Sequence, residues 1–113
     1  MKIITETITI GELKQMATSL FGNMVKAVVD VDRELVAVDA ELHSDLEALL
    51  LEDESKQKDL WGINLYPEMS GDNFVEFDSM INMRPSQGNR SRGVENEAMR
   101  KKIIEIAAKK VKR

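Results

Sequence analysis

The sequence predicts an α+β fold in a single domain spanning residues 1–113, and three observations support this prediction. A chain of 113 residues is long enough to bury one hydrophobic core and too short for two ordinary ones. Apolar residues make up 42% and charged residues 32%, which is the range of globular proteins. The spacing of apolar residues also switches along the chain between the period of two typical of strands and helical spacing. The resulting order, β-α-β-β-α-β-β-α, predicts an α/β sandwich. Its first six elements match a ferredoxin-like core, to which a strand and a C-terminal helix are added.

The first two elements are a strand and a helix. Residues 2–7 alternate weakly and favour a strand. Thr9-Ile10-Gly11-Glu12 then has the form of a capping box, in which the threonine hydroxyl accepts a hydrogen bond from the glutamate amide. A helix should therefore begin there. Apolar residues follow at helical spacing as far as Leu20, and Gly22-Asn23 predicts the end of the helix.

A valine-rich hairpin and a second helix come next. Residues 24–31 and 35–38 are rich in valine and predict two strands joined by an acidic turn. Asp39 is placed to cap the second helix, in which the leucines between Leu42 and Leu50 form an apolar stripe. A charged cluster at 52–58 predicts the end of this helix.

The remaining elements are two strands and a C-terminal helix. Large apolar residues alternate with smaller or more polar ones over residues 60–66, which predicts a strand followed by a loop at 67–73. Residues 74–83 alternate in the same way and predict the last strand, with Glu76 and Asp78 on its wetter face. Apolar residues then repeat at helical spacing from Met99 to Val111, which predicts an amphipathic helix.

The net charge of −4 conceals a separation of charge along the chain. Residues 1–83 carry 6 basic and 17 acidic side chains, whereas residues 84–113 carry 10 basic and 3 acidic ones. Such a separation is typical of an end that binds anions. It is equally typical of two complementary surfaces that pair within the fold or across a homodimer.

Two absences limit the class of protein. The chain has no cysteine, which excludes disulfides, thiolate nucleophiles and cysteine-based zinc sites, and which suits the cytoplasm as the expected location. It contains neither a signal-peptide-like stretch nor an apolar run approaching the roughly 18 to 20 residues that span a bilayer, so we expect no membrane association. The sequence indicates no particular cofactor.

The segment 84–93 is the most unusual part of the chain. It places three arginines among glutamine, asparagine and serine, between a predicted strand and a predicted helix. Arginine binds phosphate or carboxylate through two parallel hydrogen bonds, glycine allows a close approach of backbone amides, and a helix N-terminus adds positive potential. The alternative is an ordered loop whose arginines pair with acids elsewhere. The candidate ligand-binding residues are Arg84, Gln87, Asn89, Arg90 and Arg92.

This segment lacks the patterns of the common phosphate-binding loops, namely Gly-x-x-x-x-Gly-Lys-Ser/Thr and Gly-x-Gly-x-x-Gly. Nucleic acid is a weaker expectation than a small phosphate-bearing ligand or an acidic protein surface. The reasons are that no aromatic residue is interleaved with the arginines and that the protein is acidic overall.

A second group of candidate residues surrounds the only histidine of the chain. Asp39, His43 and Glu47 are spaced four residues apart along one edge of the predicted second helix. His43 and Glu47 could ligate a metal together, or the carboxylate could raise the basicity of the imidazole for proton transfer. Glu76 and Asp78 are the natural further ligands if their strand face meets this helix. The alternative is a hydrogen-bonded structural histidine.

Three longer phrases of the sequence resemble a known family. They are Val-Asp-Ala-Glu-Leu-His-Ser-Asp-Leu-Glu from Val38, Asp-Leu-Trp-Gly-Ile-Asn-Leu-Tyr-Pro from Asp59, and Phe-Asp-Ser-Met-Ile-Asn-Met-Arg-Pro-Ser-Gln-Gly-Asn-Arg-Ser-Arg from Phe77. They are similar to a family of small prokaryotic proteins catalogued as a domain of unknown function. The likeness runs from about Val25 through the C-terminal helix. The resemblance implies a self-contained domain and assigns no catalytic or binding residue.

Three functional hypotheses follow from these patterns. The leading one is a module that binds an anion, such as a nucleotide, a phosphorylated metabolite or an acidic partner, through the segment 84–93. The second is a metal-dependent hydrolase or phosphoesterase that uses His43, Glu47, Glu76 and Asp78. The third is a structural protein that self-associates through its acidic and basic regions. Whether the chain is an enzyme stays open at this point.

Overall fold

A computed structural model describes residues 1–113 as three α-helices, seven strands and short 3-10 turns. The strands are β1 (Lys2–Ile4), β2 (Ile8–Thr9), β3 (Val25–Asp30), β4 (Leu35–Val38), β5 (Leu60–Leu65), β6 (Val75–Glu76) and β7 (Val111–Lys112). The helices are α1 (Ile10–Leu20), α2 (His43–Glu52) and α3 (Glu97–Lys110). The α+β class predicted from the sequence is confirmed.

Five strands form an antiparallel sheet in the order β1-β4-β3-β5-β6. The central strand β3 is buried along almost its whole length, because helices cover both faces of the sheet. The two remaining strands, β2 and β7, form a short parallel pair that ties the C-terminal end of the chain to the residues just before α1.

The helices divide between the two faces of the sheet. Helices α1 and α3 cover one face and share a hydrophobic core of 19 buried residues with it. Helix α2 covers the other face through a smaller cluster, formed by Val28, Ala37, Leu46, Leu50 and Leu60. No helix is both long enough and apolar enough to cross a membrane.

Several elements form for the local reasons seen in the sequence. The Thr9 hydroxyl accepts a hydrogen bond from the Glu12 amide at 3.1 Å, which is the expected cap of α1. Asn96 caps α3 in the same way by accepting from the Met99 amide at 2.9 Å. The valine-rich hairpin forms as β3 and β4. The predicted strand at 60–66 is β5.

The strand order differs from that of a ferredoxin-like core. Strands β1 and β3 run parallel with β4 between them, as in a split βαβ unit. However, β5 pairs with β3 rather than with β1, and α2 lies on the face opposite α1. The physical reason is that the β3–β4 hairpin is apolar on both faces. Val28 and Ala37, which point away from α1 and α3, must be covered by a helix on their own side.

The second helix begins later than predicted, and Asp39 does not cap it. Asp39 has a φ of +75° and lies outside the helix, with its carboxylate 3.9 Å from the N-terminal amino group of the chain. Leu42 occupies the N-cap position instead, and it makes no capping hydrogen bond with its side chain.

The predicted strands at 2–7 and 74–83 are both shorter in the structure. The first stops at Ile4, and the chain then turns before the short strand β2. In the second, only Val75–Glu76 is a strand, and the chain continues as a loop with a 3-10 turn at Met80–Asn82. This segment leaves the strand conformation because side chains rather than backbone attach it to the edge of β5.

Candidate functional site

A cleft at the N-terminal end of α2 brings together one residue from each group predicted in the sequence. His43 comes from the helix, and Arg92 comes from the arginine-rich segment. The cleft has a volume of about 160 Å³. The residues that line it are Lys26, Leu42, His43, Ser44, Ser79, Met80, Ile81 and Arg92.

One wall of the cleft is built on a glycine of β5. A Cβ atom at Gly62 would lie 2.5 Å from Cβ of Ser79, so only glycine lets the segment Ser79–Asn82 pack directly on the strand. The fully buried Asn82 accepts a hydrogen bond from the Gly62 amide at 2.8 Å and donates one to the Gly62 carbonyl at 2.9 Å. The asparagine side chain therefore takes the place of a neighbouring strand at this point of the sheet edge.

The same asparagine positions Arg92. Asn82 donates a further hydrogen bond to the Arg92 carbonyl at 2.9 Å, and the Ser79 amide donates to that carbonyl at 2.9 Å. The Arg92 side chain donates from Nε to Asp78 Oδ1 at 2.6 Å. This is its only hydrogen bond, so both terminal nitrogens remain free in the forked geometry that matches a carboxylate or a phosphate.

Lys26 supplies a second cation to the cleft. It lies on the α2 face of β3, where it pairs in register with Asn64 of β5. Its ammonium group is 5.1 Å from the centre of the Phe21 ring and is absent from all of the ion pairs in the chain. Lys26 is therefore a partly buried cation without an acidic partner.

Polar side chains continue this row across the sheet toward β6. Asn64 donates to Glu76 Oε1 at 2.9 Å, and the Tyr66 hydroxyl donates to the same oxygen at 2.9 Å, which raises the pKa of Tyr66. The oxygen of the buried Asn64 side chain has no hydrogen-bond partner. The Glu76 carboxylate thus already accepts hydrogen bonds from its neighbours on the sheet.

His43 is the first residue of α2 and is only 8% exposed. Its Nε2 lies 2.8 Å from the Ile63 carbonyl oxygen, so Nε2 carries a hydrogen and donates it, and in the neutral ring Nδ1 is the acceptor. Burial lowers the pKa of His43 below 6.5, and the positive charge of Lys26 acts in the same direction. The hydrogen bond to Ile63 and the charge of Asp78 oppose this shift. The imidazole is therefore neutral at pH 7.

The first turn of α2 adds backbone donors to the cleft. Because Leu42 provides no side-chain cap, the backbone amides of His43 and Ser44 have no hydrogen-bond partner in the chain. They lie at the end of the helix where the peptide dipoles produce positive potential. The cleft is therefore lined by three kinds of residue that have hydrogen-bond donors left unused within the chain.

Arg84 lies away from the cleft and has a structural role. Its guanidinium group donates to the carbonyl oxygens of Gln57 and Leu60, and it lies over the Trp61 ring at 4.2 Å from the ring centre. Burial lowers the pKa of Arg84, although the charges of Glu47 and Asp59 oppose the shift. Arg84 thus holds the segment 84–93 to the start of β5.

The other loop residues shape the segment rather than line the cleft. The buried Asn89 donates to the carbonyl oxygens of Asn82 and Gly93 at 2.7 and 2.8 Å. Gln87 is exposed and makes one long contact, 3.4 Å to the Lys58 carbonyl. The Arg90 side chain is exposed without a hydrogen bond, while its backbone amide donates to the Glu95 carboxylate at 2.6 Å and so lowers the pKa of Glu95. Of the five predicted ligand-binding residues, only Arg92 lines the cleft.

The four candidate metal ligands are not brought together. No group of three or more histidine, aspartate or glutamate side chains is placed to hold a metal ion. Glu47 lies near Arg84, with one carboxylate oxygen buried and without a partner. Glu76 is bonded to Asn64, and Asp78 is paired with Arg92. These four residues therefore make separate contacts in the structure.

Two larger cavities lie along α3 and share the residues Asp72, Val75 and Ile104. Their volumes are about 490 and 560 Å³. Their basic residues already have partners within the chain, because Arg113 donates to the Met69 carbonyl at 3.3 Å, Arg100 donates to the Val94 carbonyl at 2.6 Å and Lys101 pairs with Glu97 at 4.0 Å. These grooves are larger than the cleft at α2. The residues with free hydrogen-bond donors, however, line the smaller cleft.

Sequence patterns could not identify several residues of the cleft. Lys26 is one lysine in a strand, and nothing local links it to His43 or Arg92. The alternation over residues 74–83 places Asn82 on the same wetter face of the predicted strand as Glu76 and Asp78, whereas it is fully buried. The N-cap position of Leu42 had no signal either, because the sequence predicts that Asp39 caps the helix and places Leu42 within the apolar stripe.

The comparison with known proteins places the chain in a family. No curated protein and no solved structure matches it. One family model matches residues 2–110, which extends the resemblance seen from Val25 onward to almost the whole chain. The chain belongs to the family described as Protein of unknown function (DUF5674).

Proposed function

We propose that the chain is a binding module for a small anionic group, which Arg92 and Lys26 hold in the cleft at the N-terminal end of α2. The observation that carries this proposal is that one cleft is lined by residues with donors that the chain leaves unused. They are the two terminal nitrogens of Arg92, the ammonium group of Lys26 and the first backbone amides of α2. Such donors suit a carboxylate, sulfate or phosphate group.

The size of the cleft limits what it encloses. Its volume of about 160 Å³ is close to the ~150 Å³ of an engineered protein cavity that holds benzene. Pockets for drug-sized ligands measure about 300–1,000 Å³. The cleft therefore encloses one anionic group, and most of a nucleotide or a larger metabolite would remain outside it.

The surrounding charge favours one compact anion over a polyanion. Asp78 lies beside Arg92, and Asp45 lies in the first turn of α2. The protein as a whole has a net charge of −4. Repeated phosphates would meet these negative charges, whereas a single anion is bound by the two cations and the helix end.

Sulfate tests the proposal by thermal unfolding, because a ligand that binds the folded state raises the melting temperature. A sulfate concentration of 100 times Kd should stabilise the chain by about 2.7 kcal/mol, which is a rise of several degrees for a chain of this size. Sulfate also stabilises proteins without binding a site. The quantity to compare is therefore the rise in melting temperature in sulfate relative to chloride at equal ionic strength. It is measured for the wild type and for each variant.

We expect Arg92→Gln to abolish the specific part of this response and Lys26→Gln to reduce it. Arg90→Gln is the matched control, because it removes the same charge from the same segment without touching the cleft. An equal response of the wild type and Arg92→Gln would overturn the proposal.

A further inference from the structure

Two large apolar side chains that line the cleft are exposed to solvent. Leu42 is 54% exposed and Met80 is 64% exposed, and both line the cleft. Ile81 lines it as well and is partly buried. The lining of the cleft thus combines cations with exposed apolar surface.

The position of Leu42 works against the stability of α2. Serine, threonine, aspartate and asparagine are preferred at the N-cap because their side chains accept a hydrogen bond from a free backbone amide. The other two helices follow this preference with Thr9 and Asn96. Leu42 instead exposes an apolar side chain and leaves the amides of His43 and Ser44 free. Both features are explained if the leucine and the amides contact the same ligand.

We propose that the anion is a carboxylate carried by an acidic segment of a protein partner. A glutamate or aspartate side chain enters the cleft, and the apolar residues beside it in the partner cover Leu42 and Met80. This inference rests on the proposed function, and it names the carrier of the bound group. The volume of about 160 Å³ accommodates one acidic side chain, which leaves the backbone of the partner outside.

The chemistry of the lining favours this carrier over a free metabolite. Apolar contacts around a central charged anchor exclude water from it, which is the arrangement found at energetically dominant positions of protein interfaces. Methionine adapts its shape to a partner surface. A small free anion such as phosphate would leave Leu42 and Met80 uncovered.

The same features disfavour a phosphodiester chain. Its successive charges would approach Asp45 in the first turn of α2 and Asp78, which is paired with Arg92. A peptide with one acidic residue between apolar residues presents one charge to Arg92 and Lys26, and apolar surface to the rim.

Fluorescence anisotropy with short labelled peptides tests the proposal. The probe is a capped peptide with the central sequence Leu-Glu-Leu, and the matched peptides carry Leu-Gln-Leu and Ser-Glu-Ser. We expect the first to bind at least tenfold more tightly than either of the others, because only it offers both the charge and the apolar flanks. Equal binding of Leu-Glu-Leu and Ser-Glu-Ser, or tighter binding of a single-stranded RNA of similar length, would overturn the proposal.

Variants of the rim separate this inference from the proposed function. Leu42→Ala and Met80→Ala should each weaken binding of the Leu-Glu-Leu peptide about fivefold or more and reduce its advantage over the Ser-Glu-Ser peptide. Leu51→Ala and Met69→Ala are the matched controls, since these residues are 41% and 48% exposed and lie outside the cleft. A sulfate response without preference for the apolar peptide would refute only the proposed protein partner. Absence of an Arg92-dependent sulfate response would refute both the partner and the proposed anion binding.

Discussion

Gly62 and Asn82 decide where the arginine-rich segment lies. The glycine leaves room for Ser79, and the asparagine binds both backbone groups of the glycine as well as the Arg92 carbonyl. Arg92 thus reaches the cleft through contacts between residues that are 10 to 20 positions apart in the chain. The position of its guanidinium depends on this buried network more than on the arginine-rich segment itself.

Gly62→Ala should destabilise the fold by about 2–4 kcal/mol. A Cβ at this position forces Ser79 away, and the displaced segment then breaks the hydrogen bonds between Asn82 and β5. Gly11→Ala is the control, since its Cβ would meet only Thr9 Oγ1 at 3.9 Å and should stabilise α1 by roughly 0.5–1 kcal/mol. Urea unfolding measures both. A Gly62→Ala protein as stable as the wild type would show that the segment does not need this close packing.

His43 makes stability depend on pH in a defined window. Burial lowers its pKa in the folded chain below the unfolded value of 6.5, so the unfolded chain binds more protons between these two pKa values. The contribution of His43 to the free energy of unfolding should therefore be fully present above pH 6.5. It should decrease as the pH falls below 6.5. His43→Gln removes the titrating group and allows an amide hydrogen bond to Ile63, so its melting temperature should change less between pH 7.5 and 5.5. Parallel curves for the two proteins would contradict the assignment.

At the level of single residues, Arg92 and His43 could be predicted from the sequence, while their environment could not. Arg92 stands in a segment dense in anion donors, and His43 is the only histidine of the chain. Nothing local distinguishes Arg92 from Arg84, although one is a free donor in the cleft and the other is bound to the backbone of β5. That difference arises from tertiary contacts, which residue type does not reveal.

Among the elements, α2 is the one whose start is unfavourable. Leu42→Ser should supply the missing cap and stabilise the protein by about 1 kcal/mol. Thr9→Ser keeps an existing cap on α1 and should change stability little. Thermal unfolding of the two variants gives the comparison. If Leu42→Ser were less stable than the wild type, the leucine would contribute to packing, and the explanation of its position through a ligand would lose its basis.

Elements with local signals were predicted well, and those shaped by distant contacts were not. The caps of α1 and α3 and the apolar faces of these helices lie within a few residues of sequence, and both helices form as expected. Residues 74–83 alternate like a strand, yet most of them form a loop over the edge of β5. Apolar and polar residues alternate in any extended segment that has one buried side. The pattern therefore does not reveal whether backbone or side-chain hydrogen bonds attach the segment to a sheet.

For the whole molecule, the separation of charge is partly resolved within the fold. In the C-terminal segment, Lys109 pairs with Glu34 at 3.4 Å, and Lys110 donates to the Thr5 carbonyl at 2.7 Å. The pairing of β2 with β7 holds this basic end against the start of α1. Exposed pairs of this kind contribute little to stability. They nevertheless occupy basic groups that could otherwise join two copies of the chain.

Self-association is therefore not required to balance these charges, and the cleft lies within one copy of the chain. Its cations and donors come from β3, from the start of α2 and from the segment that follows β6. The separate parts of the sequence meet there because α2 covers the sheet face that carries Lys26 and Asn64. We propose that an anion binds where these parts meet.

An NMR titration with sulfate tests anion binding in the cleft residue by residue, because it reports on each backbone amide and on the Arg92 Nε–H separately. We predict saturable shifts at the amides of His43 and Ser44 and at Arg92 Nε–H, with one common dissociation constant. Arg92→Gln should abolish the shifts of the His43 and Ser44 amides, and Arg90→Gln should preserve all three. Shifts confined to Arg90 and the C-terminal lysines, or an absence of saturable shifts at the start of α2, would contradict the account.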